Sequence, residues 1–164
     1  MLPYHSLEWV AAVARNYKAN PANANKTFKG MSIFVVFGNI AEPDLGIDKP
    51  IYHRAHIENG ILIGDAAHLS REEAEEKADF ILTAPVAVWK SVIQKKEAFV
   101  SAFMTGRIKL EKGYAPKIIQ LGPKSPALIE TFNNIETEWP DEMSPERLEQ
   151  YRAQMNEFRS RLGI

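Results

Sequence analysis

The side chains best suited to chemistry lie close together in the middle of the chain. His53 and His56 share one short segment, and Asp65 and His68 follow soon after it. Imidazole and carboxylate groups bind zinc in proteins and also carry protons in acid–base catalysis. However, residues three positions apart on a strand, such as His53 and His56, point to opposite faces. We therefore expect ordinary histidines of a β-hairpin and no metal site.

Other reaction chemistries have even less support in the sequence. The chain has no cysteine, which excludes disulfides, thiolate metal sites and a cysteine nucleophile and is typical of a cytoplasmic protein. Its serines at helix starts suit capping roles, and none lies in a G-x-S-x-G turn. The glycines are too scattered for a phosphate-binding loop. We expect no catalytic residue and no cofactor.

Length and composition are those of a soluble protein with one hydrophobic core, and the net charge predicts no nucleic-acid or membrane partner. The 164 residues carry a formal net charge of −1, and 45% of them are hydrophobic. This charge predicts no general attraction to nucleic acid or to an anionic membrane. No apolar run approaches the roughly 18 residues of a membrane span, and the first residues lack the pattern of a signal peptide. The expected location is the cytoplasm.

The first half of the chain predicts strands. Residues 33–37 form a continuous apolar run rich in β-branched and aromatic side chains, as in a central strand. Residues 51–57 and 61–67 flank Asn59 and Gly60, a pair that favours the tight turn of a β-hairpin. These segments predict a central strand and an antiparallel pair of strands.

The following segment predicts a strand, two helices and another strand. Residues 80–83 form a strand, and Pro85 suits the first turn of the next helix because its missing N–H costs little there. A second short helix ends at Gly106, and residues 107–111 alternate as a last strand. Residues 117–132 form a broken pair of helices. The fold class is therefore α+β, with about five strands.

The last part of the chain predicts a separate amphipathic helix. Ser144 and Pro145 supply a cap and a first-turn residue. One apolar stripe follows at spacings of three and four residues: Leu148, Tyr151, Met155, Phe158 and Leu162. The chain is accordingly divided into a domain at 1–135 and an acidic linker with a helix at 136–164. The helix is expected to dock on the domain or, in a homodimer, on a second copy.

The order of these elements resembles a known family. The segment 78–83, the apolar helix face at 89–93 and the segment 98–113 carry the resemblance. In the third segment a helix ending F-M-x-G precedes a basic alternating strand and a glycine. The segment 28–37 and the Asn-Gly hairpin resemble the family's first three strands. Together they resemble the sterol carrier protein 2 (SCP-2) family over roughly residues 6–135.

This resemblance implies a five-stranded sheet covered by helices around an apolar tunnel. The tunnel would hold a lipid, fatty acid, acyl-CoA or sterol-like molecule. Burying a methylene yields about 0.8 kcal/mol, so a long chain binds without a charged anchor. The candidate lining residues are Phe80, Leu82, Val88, Trp89, Val92, Ile93, Phe99, Phe103, Met104, Ile108, Leu110, Ile118, Leu128 and Phe132. Apolar periodicity alone reports only burial, so ordinary core positions are the competing interpretation.

Three functions remain open at this point. The leading hypothesis is a non-enzymatic lipid-binding or lipid-carrier protein. An enzyme or enzyme accessory acting on an acyl thioester would use the same cavity, with Asp65, His53 or His56 as its acid–base groups. The third is an interaction module that uses the C-terminal helix. In the carrier, Arg107 and Lys109 could pair with a lipid head group at the tunnel mouth.

Overall fold

The computed structural model describes residues 1–164 and contains strands and helices in alternation. The strands are β1 (Leu2–Pro3), β2 (Ile33–Asn39), β3 (Ile51–Glu58), β4 (Ile61–Leu62), β5 (Ala67–Leu69), β6 (Phe80–Ala84), β7 (Lys109–Lys112) and β8 (Thr137–Glu138). The helices are α1 (Leu7–Ala19), α2 (Arg71–Lys77), α3 (Val86–Ile93), α4 (Phe99–Met104), α5 (Ala115–Leu121), α6 (Ser125–Asn133) and α7 (Pro145–Leu162). The predicted α+β class is confirmed.

The main sheet has the order β4-β3-β2-β6-β7, and β5 also pairs with β3. All neighbours are antiparallel except β2 and β6, which are parallel. The predicted continuous strand at 61–67 is wrong, because it breaks into β4 and β5. Gly64 lies at the break with a φ of 66°, a conformation that glycine adopts without steric cost. The two short pieces pair with different parts of the same β3 edge.

Local sequence signals set several element boundaries. Asn59 and Gly60 form the turn between β3 and β4 with φ values of 51° and 81°. The Ser70 hydroxyl accepts a hydrogen bond from the Glu73 backbone N–H and caps α2. Pro85 is the residue just before α3, as its position in the sequence predicts.

The two faces of the sheet pack against different helices. One face, called the inner face below, carries Val35, Phe37 and Leu82, which belong to the large core cluster shared with the helices α1, α3 and α6. The outer face carries Val36 and Ile81, which pack with residues around α2 in a smaller cluster. This division follows from the alternation of side chains along each strand.

The C-terminal helix α7 docks on its own chain. Tyr151, Met155 and Phe158 are buried in the same core cluster as the inner face of the sheet. The Tyr151 hydroxyl donates a 2.7 Å hydrogen bond to the backbone oxygen of Tyr4. Just before this helix, β8 pairs in parallel with β1. The helix therefore shares the core of the domain before it, and both the division at 135/136 and a homodimer through α7 stay predictions.

Polar contacts fasten the same helix to the loop before β3. The Arg159 guanidinium donates hydrogen bonds of 2.7 Å to the backbone oxygens of Lys49 and Pro50. Arg152 pairs with Asp48 on the same loop.

None of the chain's helices is both long and apolar enough to cross a membrane.

We expect Met155→Ala to lower the free energy of unfolding by about 2–5 kcal/mol, because it removes a buried side chain and leaves a cavity. Met155 is 2% exposed, whereas Leu162 at the end of the same helix is 50% exposed. Leu162→Ala is thus the matched control and should change stability by less than about 0.5 kcal/mol. Urea denaturation of the three proteins measures the difference. Equal losses in both variants would show that α7 is not packed as described.

Candidate ligand cavity

An apolar cavity of about 70 Å³ lies between the inner face of the sheet and the helices α4, α5 and α6. Strand β2 supplies three alternate side chains to its wall, Ile33, Val35 and Phe37. Leu82 on β6 and Ile57 on β3 extend the same wall on either side. The floor of this cavity is therefore a continuous apolar surface of three adjacent strands.

Helices and a loop close the cavity from above. Phe99 of α4, Ile118 of α5 and Leu128 of α6 line it. Its polar lining residues are Lys124 and Ser125, at the turn between α5 and α6. The Ser125 hydroxyl donates to the Gly122 backbone oxygen at 2.7 Å, so this hydroxyl already has a partner. The wall is suited to an aliphatic chain and supplies few polar contacts.

Helix α5 is held in this wall by few buried side chains. Only Ile118 is buried on this helix. Its neighbour Ile119 is 44% exposed, and Tyr114 before the helix is 70% exposed. Segments with few buried apolar contacts open at the lowest free energy. Helix α5 is therefore a part of the wall that can move at low cost.

A second, smaller cavity of about 20 Å³, called the histidine pocket below, lies on the other side of Phe37. Phe37 lines both cavities, and α6 passes along both of them. Tyr4, His5 and Trp9 from the start of the chain, with His53 from β3, form one side of the pocket. Its remaining wall consists of Trp89, Ile93, Ile129 and Phe132.

The histidines of this pocket are uncharged at neutral pH. Burial, with a smaller contribution from the nearby His68, lowers the pKa of His53 to about 3. Burial also holds the pKa of His5 well below its ordinary value. His68, the cross-strand neighbour of His53, has a pKa lowered by burial to about 4. The charged form of an imidazole is disfavoured wherever water cannot solvate it.

The structure divides the predicted lining residues into three groups. Leu82, Phe99, Ile118 and Leu128 line the apolar cavity. Trp89, Ile93 and Phe132 line the histidine pocket. Those outside both cavities but packed in the core are Phe80, Val88, Val92, Phe103, Ile108 and Leu110. Contact of any of them with a ligand stays a prediction.

Met104 has no place in either wall. It is the last residue of α4 and 64% exposed, and its contact with a ligand stays a prediction. The sequence interpretation also missed Ile33, Val35 and Phe37, although they are the alternate positions of one strand. Residues 33–37 are apolar throughout, so their pattern did not show which face borders a cavity.

The groups considered for catalysis do not meet in a cavity. His56 lies 3.2 Å from Glu58, but its ring packs beside Phe34 on the outer face. Asp65 pairs with Lys18 at the surface, 3.0 Å away. No three histidine, aspartate or glutamate side chains are placed to hold a metal ion.

The basic residues proposed for the tunnel mouth also lie outside the wall. Arg107 pairs with Glu97, and Lys109 is exposed on β7. Neither lines either cavity.

Comparison with known proteins agrees with this architecture. Residues 58–114 match the model of the SCP-2 sterol transfer family. A crystal structure of sterol carrier protein 2 superposes with a TM-score of 0.66 at 19% identity, covering 78% of this chain and 95% of that one. The solution structure of a conserved hypothetical protein from Thermus thermophilus, described as possibly a sterol carrier protein, gives a TM-score of 0.72 at 20% identity, covering 84% and 93%. No curated protein sequence matches the chain significantly.

The resemblance inferred from the sequence is therefore confirmed. The chain carries the SCP-2 sequence pattern between β3 and α5, and it has the SCP-2 fold.

The buried histidines should make the protein sensitive to acid. His53 has an ordinary pKa of 6.5 when unfolded and about 3 when folded, so the unfolded chain binds more protons between these values. Stability therefore falls as the pH falls below 6.5, by up to about 1.4 kcal/mol per pH unit for this histidine.

We expect His53→Gln to remove this contribution, because glutamine does not titrate. Urea denaturation at pH 6.0, 5.0 and 4.5 should show a shallower loss of stability in the variant than in the wild type. Parallel pH dependences of the two proteins would contradict the burial of a neutral imidazole at this position.

Proposed function

We propose that this protein binds and carries a lipid with a long apolar chain in the apolar cavity, without catalysis. The observation that carries the proposal is the composition of the wall, in which 11 of 13 lining residues are hydrophobic. The SCP-2 fold supports it, since a solved sterol carrier protein 2 has the same architecture.

Ligand binding would require the cavity to enlarge. Pockets for drug-sized ligands measure roughly 300–1,000 Å³, whereas this cavity has about 70 Å³. An outward movement of α5 would supply the space, because Ile118 is its only buried side chain. The methylenes that a lipid buries would offset the exposure of Ile118 and of the partly buried Leu121.

The absence of reactive groups from the wall favours a carrier over an enzyme. Acid–base catalysis needs a proton donor or acceptor within about 3 Å of the reacting atom. The residues that line the apolar cavity include no histidine and no carboxylate. The enzyme and interaction-module hypotheses have no comparable observation in their favour.

Ligand affinity should rise with chain length. Each additional methylene buried at about 0.8 kcal/mol corresponds to a nearly fourfold increase in affinity, until the cavity is full. Displacement of an anthroyloxy-labelled stearate by unlabelled fatty acids of 8 to 18 carbons measures this. Equal affinity for octanoate and palmitate, or no binding of either, would contradict the proposal.

Filling the cavity should block binding. Ile118→Trp places a bulky ring in the wall, and we expect at least tenfold weaker displacement of the labelled stearate. Ile119→Trp adds the same ring to the same helix at a position that is 44% exposed, so it is the matched control. Thermal melting by circular dichroism checks that both variants fold, since overpacking costs about 1–3 kcal/mol. Undiminished binding by folded Ile118→Trp would place the ligand elsewhere.

A further inference from the structure

The buried imidazole of His53 has no hydrogen-bond partner in the protein. Its side chain is 1% exposed, and neither ring nitrogen is bonded by another protein group. A neutral imidazole carries one N–H donor and one acceptor nitrogen. Buried polar atoms are almost always paired, and exceptions often mark a functional site. Both of its hydrogen-bonding positions are thus open to a small partner in the histidine pocket.

A second imidazole lies beside it in the wall of the pocket, in edge-on contact with its ring. The ring centroids of His5 and His53 are 4.9 Å apart, and His5 Nδ1 also has no partner. His5 has a φ of 62°, which is uncommon for a residue other than glycine. Backbone conformations of this kind cluster at ligand sites, where surrounding structure maintains them.

Several contacts fix His5 in this position. His68 Nε2 is hydrogen-bonded to the His5 backbone oxygen at 2.8 Å, and the His5 ring stacks on Trp9. The preceding residue, Tyr4, donates from its hydroxyl to Asn39 and accepts at its backbone oxygen from Tyr151. The segment between β1 and α1 that carries Tyr4 and His5 is therefore held in place by contacts from α1, β2, β5 and α7.

Size and charge define what the pocket can accept. Its volume of about 20 Å³ suits a group the size of one water molecule. No lysine, arginine or carboxylate lines it, so nothing there would stabilise a charged head group. An alcohol hydroxyl matches the two histidines, because it can donate to one ring nitrogen and accept from another.

The pocket also lies next to the apolar cavity. Phe37 separates the two, and its ring lies 5.5 Å from that of His53. Along α6, Leu128 lines the apolar cavity and Ile129 lines the histidine pocket. A ligand that turns the Phe37 ring aside could occupy both spaces with one polar end and one apolar chain.

We propose that His53 and His5 bind the uncharged hydroxyl end of a lipid alcohol, which enters first, while its chain runs past Phe37 into the apolar cavity. The inference rests on the proposed lipid-binding function and adds the class and the orientation of the ligand. A lipid with an anionic head would have the opposite orientation, since Lys124 at the turn between α5 and α6 is the charged residue in the wall of the apolar cavity.

The test compares two ligands with the same alkyl chain, one ending in a hydroxyl group and the other in a fluorine atom. 1-Tetradecanol can donate and accept hydrogen bonds, whereas 1-fluorotetradecane of similar size cannot donate one. Both should displace the labelled stearate from the wild type, and the alcohol should bind at least as tightly as the fluoroalkane. The variant His53→Phe has no ring nitrogen to form a hydrogen bond with the hydroxyl. In this variant the ratio of the affinity for tetradecanol to the affinity for fluorotetradecane should therefore fall at least tenfold.

Controls separate this inference from the proposed function. His56→Phe changes a histidine on the same strand but on the outer face, so it should leave the ratio unchanged. Tetradecanoate should bind His53→Phe as well as it binds the wild type. If neither chain binds the wild type, the lipid-binding function itself fails. If both bind and His53→Phe leaves their ratio unchanged, only the hydroxyl site is overturned.

A measurement on the wild type avoids any effect of mutation on folding. In protein with ¹⁵N-labelled histidines, tetradecanol should shift the ring nitrogen resonances of His53, whereas fluorotetradecane should leave them nearly unchanged. Binding of the alcohol without a shift of these resonances would overturn the proposal. Tighter binding of tetradecanoate than of tetradecanol at pH 8, if His53→Phe abolishes the difference, would also overturn it.

Discussion

Strand β2 lies at the centre of the sheet, hydrogen-bonded antiparallel to β3 on one side and parallel to β6 on the other. Its residues alternate between the two faces, so Val35 and Phe37 must be covered from one side and Val36 from the other. Helix α2 covers the outer face, and the remaining helices cover the inner one. Both cavities lie where that inner cover is incomplete.

The quality of the inner cover changes along the sheet. Near α1 and α3 it leaves only the histidine pocket of about 20 Å³, and Trp9 and Trp89 there are both buried and hydrogen-bonded through their indole N–H groups. Near α5 it depends on Ile118, which is buried, and on Leu121, which is only partly buried. A rigid region beside a weakly held wall is what a protein needs to admit a large apolar ligand while it stays folded.

The C-terminal helix belongs to the rigid region. Through the hydrogen bond from Tyr151 to Tyr4 it holds the first residues of the chain over the histidine pocket. Tyr4 in turn is bonded to Asn39 at the end of β2, and Asn39 donates to Glu42, whose carboxylate accepts from the backbone N–H of Val86 at the start of α3. This network links both ends of the chain to the central strand.

The sequence predicted the fold better than it predicted the site. Periodicity and turn residues located the hairpin at Asn59 and Gly60, the cap at Ser70 and the start of α3 after Pro85, because these signals act over a few residues. The apolar stripe of α7 was also visible, but its docking surface depends on contacts such as that between Tyr151 and Tyr4, which are far apart in the sequence. The histidine pocket was missed for the same reason.

Lining residues could not be told from core residues by pattern. Val88 and Trp89 are neighbours on one buried helix, yet only Trp89 borders a cavity. Burial depends on which face a residue occupies, and periodicity reports that face. A cavity depends on where packing is incomplete, and this is a property of several elements meeting in space.

The most direct test of a lipid site on the inner face is to locate a bound chain by NMR. In protein with ¹³C-labelled isoleucine and leucine methyl groups, a bound tetradecyl chain should give nuclear Overhauser contacts to Ile57, Leu82 and Ile118, which line the apolar cavity. Contacts confined to the exposed methyl groups of Ile61, Ile119 and Leu162 would place the chain on the surface and contradict the account.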